Sequence, residues 1–181
     1  MSLKLCVVGC GHFARIFAGD MQAIAGEVDL SFASRDAQRA AEYAAAFNGK
    51  ASFGSYEAAA ADPDVEAMYL CTPHHLHREH VALAAAAGKH ILVEKPIART
   101  MDEARLFIQT ANQAGVTLMV AENYRFMAVV RLAKKLIDGG TLGGLRLIQL
   151  QEEADFRPRP RREIGRAPGR GRVEVQGVAV R

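Results

Sequence analysis

The first residues able to do chemistry lie close to the start of the chain. Gly9-Cys10-Gly11-His12-Phe13-Ala14 fits the pattern G-x-G-x-x-[GA]. It follows the apolar run Leu3–Val8 and leads into Phe13, Ile16, Phe17, Met21 and Ile24 at helical spacing. Between a strand and a helix each small residue has a task. Gly9 permits a tight turn, Gly11 lets the backbone approach a diphosphate, and Ala14 lets the helix pack closely on the strand. The helix start adds amide donors and positive potential, so the segment points to a bound dinucleotide.

The residue that reads the adenosine ribose belongs about 20 positions further on, which falls at Ala33-Ser34-Arg35-Asp36. A carboxylate there would accept from both ribose hydroxyls. A hydroxyl followed by a guanidinium instead suits a 2′-phosphate, and Arg35 can also stack on adenine. Asp36 either caps the next helix or accepts from the ribose itself. The residues favour NADP, with NAD as the alternative.

Four of the six histidines fall in Thr72-Pro73-His74-His75-Leu76-His77-Arg78-Glu79-His80. His77 and His80 would share a helix face, yet no further ligand with zinc-like spacing follows, so no metal site is expected. Thr72-Pro73 and His77 read either as a polar helix start or as a loop beside the cofactor. In Glu94-Lys95-Pro96 a lysine ends an apolar run, His90–Val93. At a strand's carboxyl end Lys95 would enter the ligand crevice and exchange a proton with a substrate oxygen. The other reading is a surface lysine whose stem covers apolar neighbours. The bond to Pro96 is a candidate cis peptide.

These residues are set on alternating strands and helices. Strands are expected at Leu3–Val8, Val28–Ala33, Val65–Cys71, His90–Val93, Val116–Ala121 and Leu145–Leu150. Helices are expected at Phe13–Ile24, Ala37–Phe47, His75–Ala87, Thr100–Ala114 and Val129–Ile137. Thr100 and Glu103 have capping-box spacing, and Gly88 and Gly115 fit helix C-termini. Strands separated by helices of this length make right-handed βαβ units, an α/β doubly wound parallel sheet. No solenoid repeat is present.

The whole chain of 181 residues is half hydrophobic and 24% charged, a composition able to bury a core. Its longest apolar runs are too short to span a bilayer, and three cysteines without framework spacing suit thiols in a reducing cytoplasm. A membrane protein, a disulfide scaffold and a fibrous protein are excluded. The formal charge of +3 is unevenly placed: residues 157–181 hold eight arginines and two glutamates, while residues 1–156 carry 15 basic and 18 acidic side chains. This Arg/Gly/Pro-rich tail is expected not to fold by itself. With no aromatic for base stacking, it does not suggest a nucleic-acid partner.

Together, Gly9-x-Gly-x-x-Ala, Ser34-Arg35, Thr72-Pro73 with His77, Gly88-Lys89-His90 with Glu94-Lys95-Pro96, and Glu122-Asn123-Tyr124-Arg125-Phe126 resemble the Gfo/Idh/MocA oxidoreductases over about residues 3–156. The resemblance implies a Rossmann domain (residues 1–122) and the start of a substrate domain (123–156). It implies that Gly9, Gly11, His12, Phe13 and Ala14 form the pyrophosphate turn, and that Ser34 and Arg35 meet the adenosine phosphate. Thr72, Pro73 and His77 would flank the nicotinamide, Glu94 would contact cofactor, Lys95 would be catalytic, and Asn123 and Arg125 would stand at the substrate entry. It further implies hydride transfer to or from a hydroxyl-bearing carbon of a sugar, polyol or diol, in a homo-oligomer.

Two departures accompany it. Met127-Ala128 follows the Tyr-Arg-Phe motif where the family commonly has proline. Residues 157–181 contain no Asp-x-Gly-x-His-like motif. The expectation is that sequence after about Phe156 is out of frame and that the chain is a truncated oxidoreductase. A non-catalytic NADP(H) sensor is the alternative.

Overall fold

The computed structural model of the chain describes residues 1–152 and 173–176. It separates into two compact units, Met1–Glu122 and Asn123–Arg181. The first unit contains strands β1 (Leu3–Val8), β2 (Val28–Ala33), β3 (Ala51–Phe53), β4 (Ala67–Leu70), β5 (His90–Val93) and β6 (Leu118–Val120). Its helices are α1 (His12–Met21), α2 (Ala37–Ala46), α3 (Tyr56–Ala61), α4 (His77–Ala86) and α5 (Met101–Ala114). All six strands are parallel in the order β3-β2-β1-β4-β5-β6, with Val7 between Phe32 and Tyr69 in register. The α/β doubly wound sheet is the one expected.

The central strands are apolar on both faces because both faces are covered. Successive residues alternate between two cores. Cys6, Val8, Met68 and Leu70 meet Ala59, Val81, Ala84 and Phe107 of α3–α5, while Leu5, Val7, Phe32 and Tyr69 meet Ala14, Ala18 and Tyr43 of α1 and α2. Each large apolar side chain so buried contributes about 1.5–3 kcal/mol.

Local signals start and stop the helices. Asp36, Ser55 and Thr100 each accept a hydrogen bond from the amide three residues on. Gly88 and Gly115 take left-handed φ of +69° and +68° past their helices. The capping box at Thr100 is only half made. Its hydroxyl accepts from Glu103 N–H at 3.2 Å, but the Glu103 carboxylate turns to Arg99, accepting from its backbone at 3.1 Å and its guanidinium at 2.5 Å.

Two elements, β3 and α3, were not expected. A three-residue edge strand and a six-residue alanine helix are too short to reveal a period. The first helix ends at Met21 and passes into a 3₁₀ turn at Gln22–Ile24.

The second unit holds a 3₁₀ turn at Asn123–Phe126, helix α6 (Ala128–Asp138), and strands β7 (Gln149–Glu152) and β8 (Val173–Gln176), paired antiparallel. The strand expected at Leu145–Leu150 thus begins later, at Gln149. Within the tail expected not to fold, Val173–Gln176 pairs as β8, and the remainder of the tail lies outside the described residues. Among the described residues no helix is long and apolar enough to cross a membrane.

Candidate cofactor site

β1 and β4 are neighbours, but the chain leaves them toward opposite faces, so a crevice opens at their carboxyl ends. A groove of about 530 Å³ lies there, walled by the glycine loop, the end of β2, and Cys71-Thr72-Pro73 after β4.

The two loop glycines have different surroundings. Gly9 has φ +97°, and a Cβ on it would lie 2.9 Å from Thr72 Cγ2. Gly11, the α1 N-cap, has extended backbone (φ −108°, ψ −172°) that any residue could adopt, and a Cβ on it would meet nothing within 4 Å. Protein packing therefore gives no reason for a glycine at this position. No side chain caps α1, so its first amides have no capping partner.

At the β2 end, Ser34 is buried and its hydroxyl accepts from Asp36 N–H at 3.1 Å. The Asp36 carboxylate accepts from Arg39 N–H at 3.2 Å and so caps α2. Arg35 and Arg39 both line the groove, with Tyr56 beside them. Burial raises the Tyr56 phenol, and the nearby Arg35 guanidinium acts in the opposite direction. Sequence reasoning missed Arg39 and Tyr56. The signal for Arg39 was its place three residues past a capping aspartate, where a helix's first turn faces the crevice. Tyr56 gave none, since it opens the unexpected α3.

Thr72 lines the groove, and its hydroxyl lies 2.8 Å from His80 Nδ1. His77 is 1% exposed and does not line the groove. Its ring nitrogens sit 3.0 Å from Thr72 O and 3.2 Å from Ile97 O, so it ties the β4 loop to the loop after β5. Burial lowers the His80 imidazole below its ordinary value. Burial also pushes the Cys10 thiol up to about 11 and Cys71 up to about 12, which keeps both protonated and poor as nucleophiles.

Beyond the groove, Glu94 accepts from the Tyr69 hydroxyl and, at 3.0 Å, from Lys95 N–H. Burial first of all drives the Tyr69 phenol far above its usual range, and Phe17 packs tilted against that ring with centroids 4.3 Å apart. Lys95 is exposed, joined to Pro96 by a cis peptide, and its Nζ stands 5.3 Å from the centre of the exposed Phe13 ring. His12 makes an edge contact with Phe13, and Ala14, on the inner face of α1, is fully buried.

The groove therefore gathers Gly9, Gly11, Ser34, Arg35, Thr72 and Pro73, while Phe13, Glu94 and Lys95 form a second group at the β5 end. Asn123 and Arg125 belong to the other unit, exposed on its 3₁₀ turn, with the Arg125 guanidinium 5.3 Å from the Phe126 ring centre. Among the described residues no cluster of His, Cys, Asp or Glu could hold a metal.

The family model of the GFO_IDH_MocA oxidoreductases, an NAD-binding Rossmann fold, matches residues 3–122. The chain belongs to this family. Trans-1,2-dihydrobenzene-1,2-diol dehydrogenase of Mus musculus is 33% identical over 177 residues, 97% of this chain and 53% of the mouse enzyme. The 1,5-anhydro-D-fructose reductase of Ensifer adhaerens is 38% identical over 138 residues, 76% of this chain and 41% of that enzyme. Among solved structures, levoglucosan dehydrogenase in complex with NADH and levoglucosan superposes with a TM-score of 0.78 at 30% identity, covering 86% of this chain and 44% of that one. The chain spans about half the length of the curated relatives it matches.

Proposed function

We propose that this chain is the cofactor-binding part of an oxidoreductase that prefers NADPH to NADH and acts on a hydroxyl-bearing carbon of a sugar, polyol or diol. The observation that carries the cofactor preference is the β2 end of the groove. Two arginines, Arg35 and Arg39, line it together with Ser34, and the carboxylate of Asp36, also in the lining, accepts from Arg39 N–H and caps α2. A 2′-phosphate offers oxygens to guanidinium donors, which bind it by charge-assisted hydrogen bonds. Gly11 fits the diphosphate, since it leaves bare backbone at a helix start where a Cβ would meet no protein atom.

The bound nicotinamide would supply the hydride donor or acceptor. Lys95 Nζ would give a proton to the substrate oxygen during reduction and take it back during oxidation. Glu94 and Tyr69 hold the backbone from which that lysine extends. Relatives that are dehydrogenases and reductases of diols and sugars support this reading over a non-catalytic sensor. The unpaired thiols suit a cytoplasmic setting. A homo-oligomer belongs to the same reading, with Leu132, Leu142, Leu147 and Ile148 of the second unit exposed to support it.

Titration of the chain followed by nicotinamide fluorescence, with NADPH and NADH in parallel, tests the cofactor assignment. NADPH is expected to bind more tightly. Arg35→Ala and Arg39→Ala should each weaken NADPH by on the order of tenfold, about 1.4 kcal/mol, and leave NADH within about twofold. Preference for NADH would transfer the ribose role to Asp36, and binding of neither would overturn the reading.

A further inference from the structure

One buried side chain touches the glycine loop from a helix that the dinucleotide motif does not include. Tyr43 lies on α2, one turn beyond Arg39, and is 6% exposed. Its ring packs against Phe32 and Phe47, each with centroids 5.8 Å away, and the Arg15 guanidinium covers it at 4.8 Å. Its hydroxyl donates to Gly11 O at 3.1 Å, across 32 positions of sequence. The same oxygen accepts from Arg15 N–H at 3.2 Å, the first bond of α1.

From this we infer that Tyr43 is a positioning residue for the diphosphate loop. The inference rests on the cofactor reading above. The Gly11 carbonyl and the His12 N–H belong to one planar trans peptide and point in opposite directions. Fixing the carbonyl oxygen therefore aims the first unpaired amide of α1. Glycine at position 11 has the freest backbone of any residue, so the aim of this peptide gains from an anchor beyond the Arg15 amide. Tyr43 supplies it from α2, the helix whose first turn carries Arg39. One rigid element thus presents a 2′-phosphate reader and sets the pyrophosphate amides. Arg15 holds the ring in place from α1.

Tyr43→Phe removes the hydroxyl and keeps the ring with its apolar contacts. Three measurements on the full chain test the idea. In the cofactor-free protein, the Gly11 carbonyl ¹³C resonance should shift on substitution while the melting temperature stays within a few degrees; an unchanged resonance overturns the proposal whether or not any cofactor binds. NADPH binding should weaken about fivefold, the loss expected of one hydrogen bond. Binding of 2′-AMP, which has no diphosphate, should be unchanged. Equal weakening of NADPH and 2′-AMP would mean that Tyr43 only supports α2, and unaltered NADPH affinity would mean that the loop needs no anchor; either result overturns the proposal. A wild-type chain that binds neither NADPH nor NADH would sink the cofactor reading instead, and the carbon resonance would still decide the role of Tyr43.

Discussion

Gly9 and Gly11 stand two residues apart in one motif and fail in different ways when changed. Gly9 holds a left-handed conformation against Thr72, so Gly9→Ala meets both an unfavourable φ and a contact at 2.9 Å. Its cost is expected to be about 1–3 kcal/mol of stability, read as a lower melting temperature. Gly11→Ala introduces a methyl group that meets no protein atom, so the melting temperature should hold while NADPH affinity falls on the order of tenfold, about 1.4 kcal/mol. A Gly11→Ala chain that melted early, or bound NADPH normally, would contradict the reading of that glycine as the place of closest approach. The motif itself was legible from residue types. That Thr72 lies opposite Gly9 and nothing opposite Gly11 was not, because it depends on how the chain folds.

At the scale of elements, α4 sits where sequence predicted a helix, but its histidines do other work than expected. His77 and His80 are buried and bond to Thr72, so the helix secures the loop that walls the groove. Because burial lowers His80 below its ordinary value, the folded state favours the neutral ring. The stability this contributes is present above the unfolded value of 6.5 and is lost as pH falls through the lowered folded value. The denaturation midpoint should therefore drop as pH falls below 6.5, and His80→Gln, which can still hydrogen-bond to Thr72, should flatten that drop. An acid limb that His80→Gln leaves unaltered would place the loss elsewhere. The same scale explains the missed elements: β3 and α3 are short, half-exposed pieces whose positions follow from the sheet they border, not from their own period.

For the whole molecule, the unit Met1–Glu122 contains the entire parallel sheet, both cores and the groove. We propose residues 1–122 as a domain on these grounds. A chain ending at Glu122 should melt in one cooperative transition and bind NADPH within about threefold of the 181-residue chain. By light scattering it should be monomeric, whereas the longer chain, with its exposed leucines and Ile148, should be larger. A fragment that fails to fold would show that residues after 122 complete the first unit. A longer chain that is monomeric would remove the support for a homo-oligomer.

By itself, the sequence determined the class of fold and most strand and helix positions, and it marked the glycine loop, Ser34-Arg35 and Lys95 as candidates. Those features are local: apolar runs, turn residues and short motifs act on their own neighbours. Only the tertiary structure decided which side chains meet. Parallel pairing brings β1 beside β4 and thereby sets Gly9 against Thr72. Packing of α2 puts Tyr43 on Gly11 and Arg39 in the groove with Arg35, and Asp36 caps α2. Burial set His77 between two loops, with ring nitrogens 3.0 Å from Thr72 O and 3.2 Å from Ile97 O, carbonyls from segments far apart in the chain.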